Sequence, residues 1–474
     1  MIGHGILVPR ADPTSGRYGE PVAAGSELLR QQHIARFREL FPEQVAHLEW
    51  TADELRQSQD RELRRLIRDA VEHSPWHRER LRRVDIPALT ADDLSGLPVM
   101  TKSDLMDNFD AIVTDRRLTL DLCERHVDGL DDDAYLLDEF HVIASGGSSG
   151  QRGVFVYDWD AWAICYSSVN RFPARDRASH PELAGNPPVI AAVAAANVSH
   201  ISAALGATFS TADRPRHTIP VSQPLEQIVA ALNDVQPTTL MGYSSFLPRL
   251  AAEARAGRLR IAPQRVVAIS EPLLPEVRAD LEATWGAPVA SGYGMSEGLF
   301  AGSCGYGSHL PDDLCLLEPV GADGMPVHAG ATSDTVYVTN LYNRVVPLIR
   351  FEVTDEITVV EGPCPCGSVF RRIADPLGRL DDTFVYPDGT AIHPHVFRHC
   401  LSHQHLVEYQ VRQTARGADI DAVVSDDVDT AALASRIEAA LRDLGLPAPV
   451  VNVATVDRVD RQRSGKLKRF VPSG

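Results

Sequence analysis

Ser145-Gly146-Gly147-Ser148-Ser149-Gly150-Gln151-Arg152-Gly153 packs small and hydroxyl-bearing residues more densely than any other part of the chain. Glycines permit positive φ and let backbone N–H groups approach a ligand, and serine hydroxyls add donors that rotate toward phosphate oxygens. His141-Val142-Ile143-Ala144 before the stretch and Val154-Phe155-Val156-Tyr157 after it are short and β-prone, so it reads as a loop between two strands. A Walker loop needs Gly-Lys-Ser/Thr entering a helix, and a dinucleotide fold needs Gly-x-Gly-x-x-Gly opening one; neither pattern is present. Taken alone, the stretch is either a phosphate cradle or the tip of a surface hairpin. Its partners must decide.

Downstream, apolar strand-like runs alternate with amphipathic segments. Val189–Ala195, Thr238–Met241, Arg265–Ile269 and Pro288–Ser291 read as strands. Leu225, Ile228, Val229 and Leu232 form one helix face, and Phe246–Ala256 and Leu274–Trp285 read as helices. This alternation predicts a largely parallel sheet covered by helices, with ligands at the carboxyl ends of its strands. Ser291-Gly292-Tyr293-Gly294-Met295-Ser296-Glu297 falls where such a strand ends. Two glycines around a tyrosine suit a tight turn against a flat ligand, and a hydroxyl followed by a carboxylate can serve a Mg²⁺ that bridges phosphates. The same residues also read as a plain turn with Glu297 opening a helix.

Toward the amino end, a helix is expected near Gln31–Leu40. Thr51-Ala52-Asp53-Glu54 is a capping box opening a second helix that Ser74-Pro75 stops. Residues 334–360 read as a β-meander. Beyond the polar break Gly378-Arg379-Leu380-Asp381-Asp382, His405–Thr414, Asp419–Ser425 and Val450–Val456 read as strands, with Asp429 capping a helix. The expected fold is α/β. A large N-terminal domain over residues 1–378, with parallel-rich sheets and helices, is joined by a hinge at 379–382 to a small mobile α+β domain over 383–474.

The 474 residues exceed what one core usually supports, and 44% hydrophobic with 23% charged residues is ordinary for a globular protein. A net charge of −18 argues against nucleic-acid partners. No apolar run is long enough to span a bilayer, and Met1–Gly5 lacks a basic region leading into an apolar core, so a cytoplasmic protein without a membrane partner is expected. Seven cysteines, odd in number and mostly scattered, do not make a disulfide framework. Cys304 with His309, and Cys364-Pro365-Cys366, supply four soft ligands of a kind suited to tetrahedral zinc; Cys315 is a competing ligand, and reduced residues in turns are the alternative. His393, His395, His399, His403 and His405 do not keep to one helix face and read as a solvated helix start.

Of 46 basic residues, only Lys102, Lys466 and Lys468 are lysine. Lys466 follows Ser464-Gly465 in a basic tail. That is either a solvated terminus or a compact ammonium able to sit between a carboxylate and a phosphate, where a planar guanidinium would not reach both.

In order and spacing, Ser145–Gly153, Tyr293–Glu297, Phe351–Asp355, Gly378–Asp382 and Ser464–Lys466 resemble the motifs of the adenylate-forming (AMP-dependent synthetase/ligase) superfamily. The chain looks nearest to the phenylacetate–CoA ligase branch, to which Ser74–His77 and Leu97–Leu105 are also similar, and the resemblance spans residues 50–472. It implies ATP-dependent activation of a small carboxylic acid, aromatic by branch, to an acyl adenylate. Transfer follows to a thiol, coenzyme A foremost, or to an amine, a carrier protein or another small nucleophile; a nucleotide-binding protein without turnover is the remaining alternative. By motif, Ser145, Gly147, Ser148, Ser149 and Gly150 are implied to hold phosphates, and Glu297 to hold Mg²⁺. Tyr293, Gly294 and Ser296 are implied to lie by the adenine and α-phosphate, Asp355 and Arg379 to contact ribose or phosphate, Lys466 to bridge acid and α-phosphate, and Asp381 to be the hinge. His200, Gly242, Tyr243, Ser244, Ser245 and Gly292 fall where the family builds its acyl pocket. Several members of the branch carry a similar Cys–His–Cys–Cys set, which supports structural zinc, and dimers are common there, which suggests a homodimer.

Three positions depart from the pattern. Gln151-Arg152-Gly153 replaces a lysine-rich segment, so an arginine is expected near the outer phosphates; Glu352 replaces an arginine; and Tyr386–Thr390 is one residue longer than the segment lining the thiol tunnel in the CoA ligases.

Overall fold

The computed structural model describes residues 23–145, 152–179, 187–195, 197–212, 214–376, 378–379, 383–392, 394–401, 406–424, 428–461 and 467–473. At its centre five parallel strands stand in the order Arg216–Pro220, Ile190–Ala194, Thr239–Tyr243, Arg265–Ile269, Val289–Gly292. Helices Ile201–Phe209, Leu225–Val235, Leu247–Arg255 and Pro275–Trp285 fall between them in the chain. The strands are apolar because helices cover them: Ile228, Val229 and Leu232, then Leu247, Leu250 and Ala251, pack with Val193, Leu240 and Val266 into one buried cluster. Arg216–Pro220 gave no sequence signal because it is an edge strand with two exposed positions, closed by a proline that an edge tolerates.

His141–Ala144 and Val154–Tyr157 pair antiparallel, with Ala144 opposite Val154, so the serine–glycine stretch does join two strands. All eight residues are buried, which explains their lack of alternation. They share the largest core with Phe109, Trp162 and Phe351. The first helix runs Ala23–Ala46, longer at both ends than expected. Thr51 caps the helix Ala52–His73, accepting from the Glu54 N–H while the Glu54 carboxylate accepts from the Thr51 N–H, and Ser74 ends it.

The meander consists of Cys315–Val320, Thr335–Asn340 and Phe351–Val353, and Asp355–Glu356 pairs with Gly378–Arg379. Glu297 opens no helix: residues 294–300 form a loop closed by a bridge between Gly294 and Phe300.

From residue 383 on, a four-stranded sheet has the order Val450–Thr455, Gly417–Val424, Leu406–Thr414, Phe470–Val471. Helices His395–Leu401 and Thr430–Asp443 accompany it. Phe384, Phe397, Val411, Ile420, Ile437, Leu441 and Phe470 give this part its own core. Among the described residues no helix is long and apolar enough to cross a membrane.

Candidate functional site

Parallel pairing sets Tyr243, Ile269 and Gly292 side by side at the carboxyl edge of the central sheet. The Tyr293–Gly298 loop leaves from there, and three side chains hold three consecutive carbonyls of it. Tyr157 Oη donates to Ser296 O at 2.6 Å, Asn340 Nδ2 to Glu297 O at 2.9 Å, and Tyr342 Oη to Gly298 O at 2.5 Å. Burial pushes both phenols well up from their ordinary range, which keeps them protonated as donors. The backbone passes so close that only glycine fits at 298: φ is +92°, and a Cβ there would stand 2.4 Å from Asn340 Nδ2. Glu297 is buried in consequence, at 7% exposure. Tyr157 ends the strand Val154–Tyr157 of the hairpin around the serine–glycine stretch, so this strand and the Glu297 turn are bonded to each other.

Tyr293 Oη donates to the carboxylate of Asp355 at 3.0 Å, joining residues 62 apart, and Asp355 is paired in register with Arg379. Ser145 closes the neck of the serine–glycine loop: its N–H donates to Gly153 O and its Oγ accepts from the Gly153 N–H, each at 2.8 Å. Of the residues singled out in the sequence, Gly147, Ser148, Ser149, Gly150, Asp381 and Lys466 lie outside the described residues, as do the side chain of Arg379 and those of the histidine-rich patch.

Two arginines near these motifs are paired within the protein. Arg152 Nη1 donates to Asp128 Oδ1 at 2.7 Å, and Arg350, near the position where Glu352 replaces an arginine, bonds Glu318 at 2.9 Å and Leu97 O at 2.5 Å. Lys102 lies beside the end of the serine–glycine stretch, its Cε 3.1 Å from where a Cβ on Gly153 would stand. The scarcity of lysine in the sequence singled it out, without giving it a role.

The expected acyl pocket gathers at the same edge. Ala195 N–H donates to Tyr243 Oη at 2.9 Å and Ser244 Oγ to Glu271 O at 3.1 Å. Gly242 lies against Leu247, whose Cδ2 is 3.0 Å from a Cβ built there. Gly292 closes the adjoining strand. His200 precedes the helix Ile201–Phe209, and neighbouring Ser199 O accepts from the Ala144 N–H at 2.9 Å, which sets it near the loop's first strand.

Cys304, His309, Cys364 and Cys366 converge, with ligand atoms all within 4.8 Å of one another. Two come from the hairpin Gly302–Cys304/Gly307–His309 and two from the Cys364–Gly367 turn. Cys304 Sγ lies 3.8 Å from Cys364 Sγ and 3.3 Å from His309 Nε2, and Cys366 Sγ lies 3.4 Å from the same nitrogen. A tetrahedral zinc with ordinary bond lengths demands about 3.8 Å between sulfurs and about 3.6 Å between sulfur and nitrogen. His309 Nδ1 donates to Phe370 O at 2.8 Å, which leaves the Nε2 lone pair facing the thiols, as a metal ligand needs. The donor set therefore fits one zinc. Cys315 is not part of it; its sulfur faces Gly298 O at 3.9 Å.

No protein-family model and no curated protein matches the sequence. Among solved structures, 2-hydroxyisobutyryl-CoA ligase in its postadenylation state with R3-HIB-AMP is similar at 18% identity and a TM-score of 0.68, over 90% of this chain and 91% of that one. The same ligase in an open conformation with 2-HIB-AMP and CoA gives 0.55 over 90% and 93%. The chain has the fold of the adenylate-forming ligases, a mixed α/β body followed by a small C-terminal unit.

Proposed function

We propose that this protein is an ATP-dependent, AMP-forming ligase that converts a small carboxylic acid to its acyl adenylate and passes the acyl group to a thiol, coenzyme A first. The observation that carries the proposal is the Tyr293–Asp355 hydrogen bond, which joins two nucleotide motifs at the carboxyl edge of the parallel sheet. The Glu297 turn and the neck of the serine–glycine loop adjoin that edge.

In the first step a carboxylate oxygen of the acid attacks the α-phosphorus of ATP, the bond to the bridging oxygen breaks, and pyrophosphate leaves. Ser145, Gly147, Ser148, Ser149 and Gly150 cradle the departing phosphates. Asp355 accepts from the ribose hydroxyls, Arg379 steadies ribose or phosphate, and Tyr293 with Gly294 forms the wall by the adenine. Lys466 spans the incoming carboxylate and the α-phosphate. Ser296 and Glu297, an all-oxygen donor pair, would hold Mg²⁺, which supplies neutralisation of phosphate charge. The chain's part is positioning and charge compensation.

In the second step the sulfur attacks the acyl carbon, the carbon–oxygen bond to AMP breaks, and the thiol proton passes to solvent. Turning of the small unit about Asp381 would exchange the two half-reactions. His200, Gly242, Tyr243, Ser244 and Gly292 form the acid pocket, and an aromatic acid of the phenylacetate–CoA ligase kind is the substrate favoured by sequence resemblance. Cys304, His309, Cys364 and Cys366 hold a structural zinc that ties down the segment following the Glu297 turn.

The turn at Tyr386–Thr390, whose ends are joined by the Tyr386 N–H and Thr390 O at 2.9 Å, favours a second reading in which the acceptor is an amine or a carrier-protein thiol. AMP release measured with the cognate acid and each acceptor in turn separates them. Stoichiometric AMP with coenzyme A supports the first reading, AMP only with an amine or carrier protein supports the second, and none with any acceptor rejects both.

A further inference from the structure

Strand Arg265–Ile269 ends in Ser270, a non-glycine residue at φ +64°, a backbone region that L residues seldom occupy. The sharp turn delivers Glu271 to the carboxyl edge of the sheet, where its two carboxylate oxygens do different things. Oε2 accepts the Ser245 N–H at 2.9 Å, fixing the end of the neighbouring strand. Oε1 accepts the Leu467 N–H at 3.0 Å, from the small unit, and Leu467 directly follows Lys466. A second tie runs alongside: Arg461, bound to buried Glu408 of the small unit, approaches Ser245 Oγ at 3.4 Å and lies 5.7 Å over the Phe246 ring.

One carboxylate thus joins the acid pocket to the backbone beside the lysine. Bonds from backbone N–H groups to a carboxylate are charge-assisted, and of the two made by Glu271 the one to Ser245 stays within the large unit while the one to Leu467 joins the two units. We propose that Glu271 is a positioning residue for the first half-reaction. It holds the backbone of Leu467, the residue after Lys466, at the edge of the acid pocket and must release it before the small unit turns for the acceptor step. A different side chain serves each duty poorly: glutamine has one acceptor oxygen for two N–H groups, and alanine has none.

This inference rests on the adenylation reading above, and the test keeps the two apart. Pyrophosphate–ATP exchange is compared with transfer from chemically made acyl adenylate to the acceptor in wild type, Glu271→Gln and Glu271→Ala. The expected result is exchange lowered at least tenfold in Glu271→Ala and by less in Glu271→Gln, with transfer within twofold of wild type in both. Equal losses in both half-reactions, or unchanged exchange, overturn the proposal. If the wild type itself shows no exchange, the adenylation reading is what fails. The positioning claim is then read by small-angle X-ray scattering, where Glu271→Ala must show a larger radius of gyration than wild type without substrate, and an identical profile overturns it. Thermal midpoints of the variants show that each is folded.

Discussion

Gly298→Ala should damage this protein far more than the same change at Gly257, although both glycines have positive φ. At Gly257, φ is +74° and nothing lies within 4 Å of an added Cβ. Alanine there meets only the backbone cost of a left-handed conformation, about 1 to 2 kcal/mol. At Gly298 the same backbone cost applies, and the new carbon would also stand 2.4 Å from Asn340 Nδ2, 2.6 Å from Tyr342 Oη and 2.9 Å from Tyr157 Oη. Those are the three donors that hold the Ser296, Glu297 and Gly298 carbonyls. Displacing one donor forfeits about 1 kcal/mol, and leaving its buried carbonyl without a partner adds about 1 to 3 kcal/mol. The two variants should therefore differ by about 2 to 4 kcal/mol. Urea unfolding of both variants, followed by tryptophan fluorescence, measures the difference. The strain also displaces Glu297, so ATP affinity should fall in Gly298→Ala and stay at wild-type level in Gly257→Ala. Variants that unfold within 0.5 kcal/mol of each other, an order-of-magnitude margin for such comparisons, would refute the reasoning.

Lys466→Ala should abolish adenylate formation while leaving ATP binding nearly intact by calorimetry; equal loss of both contradicts the role assigned to the lysine. Protein purified without chelator should contain about one zinc per chain, and Cys364→Ser should lose it together with thermal stability; metal-free protein of wild-type stability rejects the site. Acid should destabilise the fold. Burial holds the imidazole of His33 down to about 4, and burial with the Arg80 charge holds His77 to about 3, so both are neutral when folded. Unfolded histidine titrates near 6.5, so between that pH and the folded values the unfolded chain binds more protons, and stability falls as pH drops below about 6.5. Asp133, which burial pushes up to about 6, works in the opposite sense below that pH. Of these three groups, two histidines against one carboxyl leave a loss on the order of 3 kcal/mol by pH 4.5, and His141, whose imidazole burial also holds well down, works in the same direction. A thermal midpoint constant from pH 6.5 to 4.5 contradicts this.

The central strands were legible because they are buried almost throughout and leave continuous Val, Ile and Ala runs such as Ile190–Ala194. The edge strand Arg216–Pro220 was not, since its exposed positions carry no apolar signal. At the site, residue types announced themselves where chemistry is local: serine and glycine at 145–153, Cys364 and Cys366 in one turn. What holds the site together is long-range and hydrogen-bonded. Tyr157 reaches a carbonyl 139 residues away and Tyr342 one 44 residues away. Glu271 bonds an N–H 196 residues on. None of these leaves a periodicity to read. The sequence placed an arginine near the outer phosphates, and it could not show that Arg152 also bonds Asp128 at the end of a neighbouring helix.

Acid-dependent exchange of labelled pyrophosphate into ATP with no acceptor present, across aryl, arylacetic and short aliphatic acids, is the most direct test of adenylation. Exchange is expected with one class of acid and is expected to be lost in Lys466→Ala; absence of exchange with every class, from protein that binds ATP, would rule adenylation out.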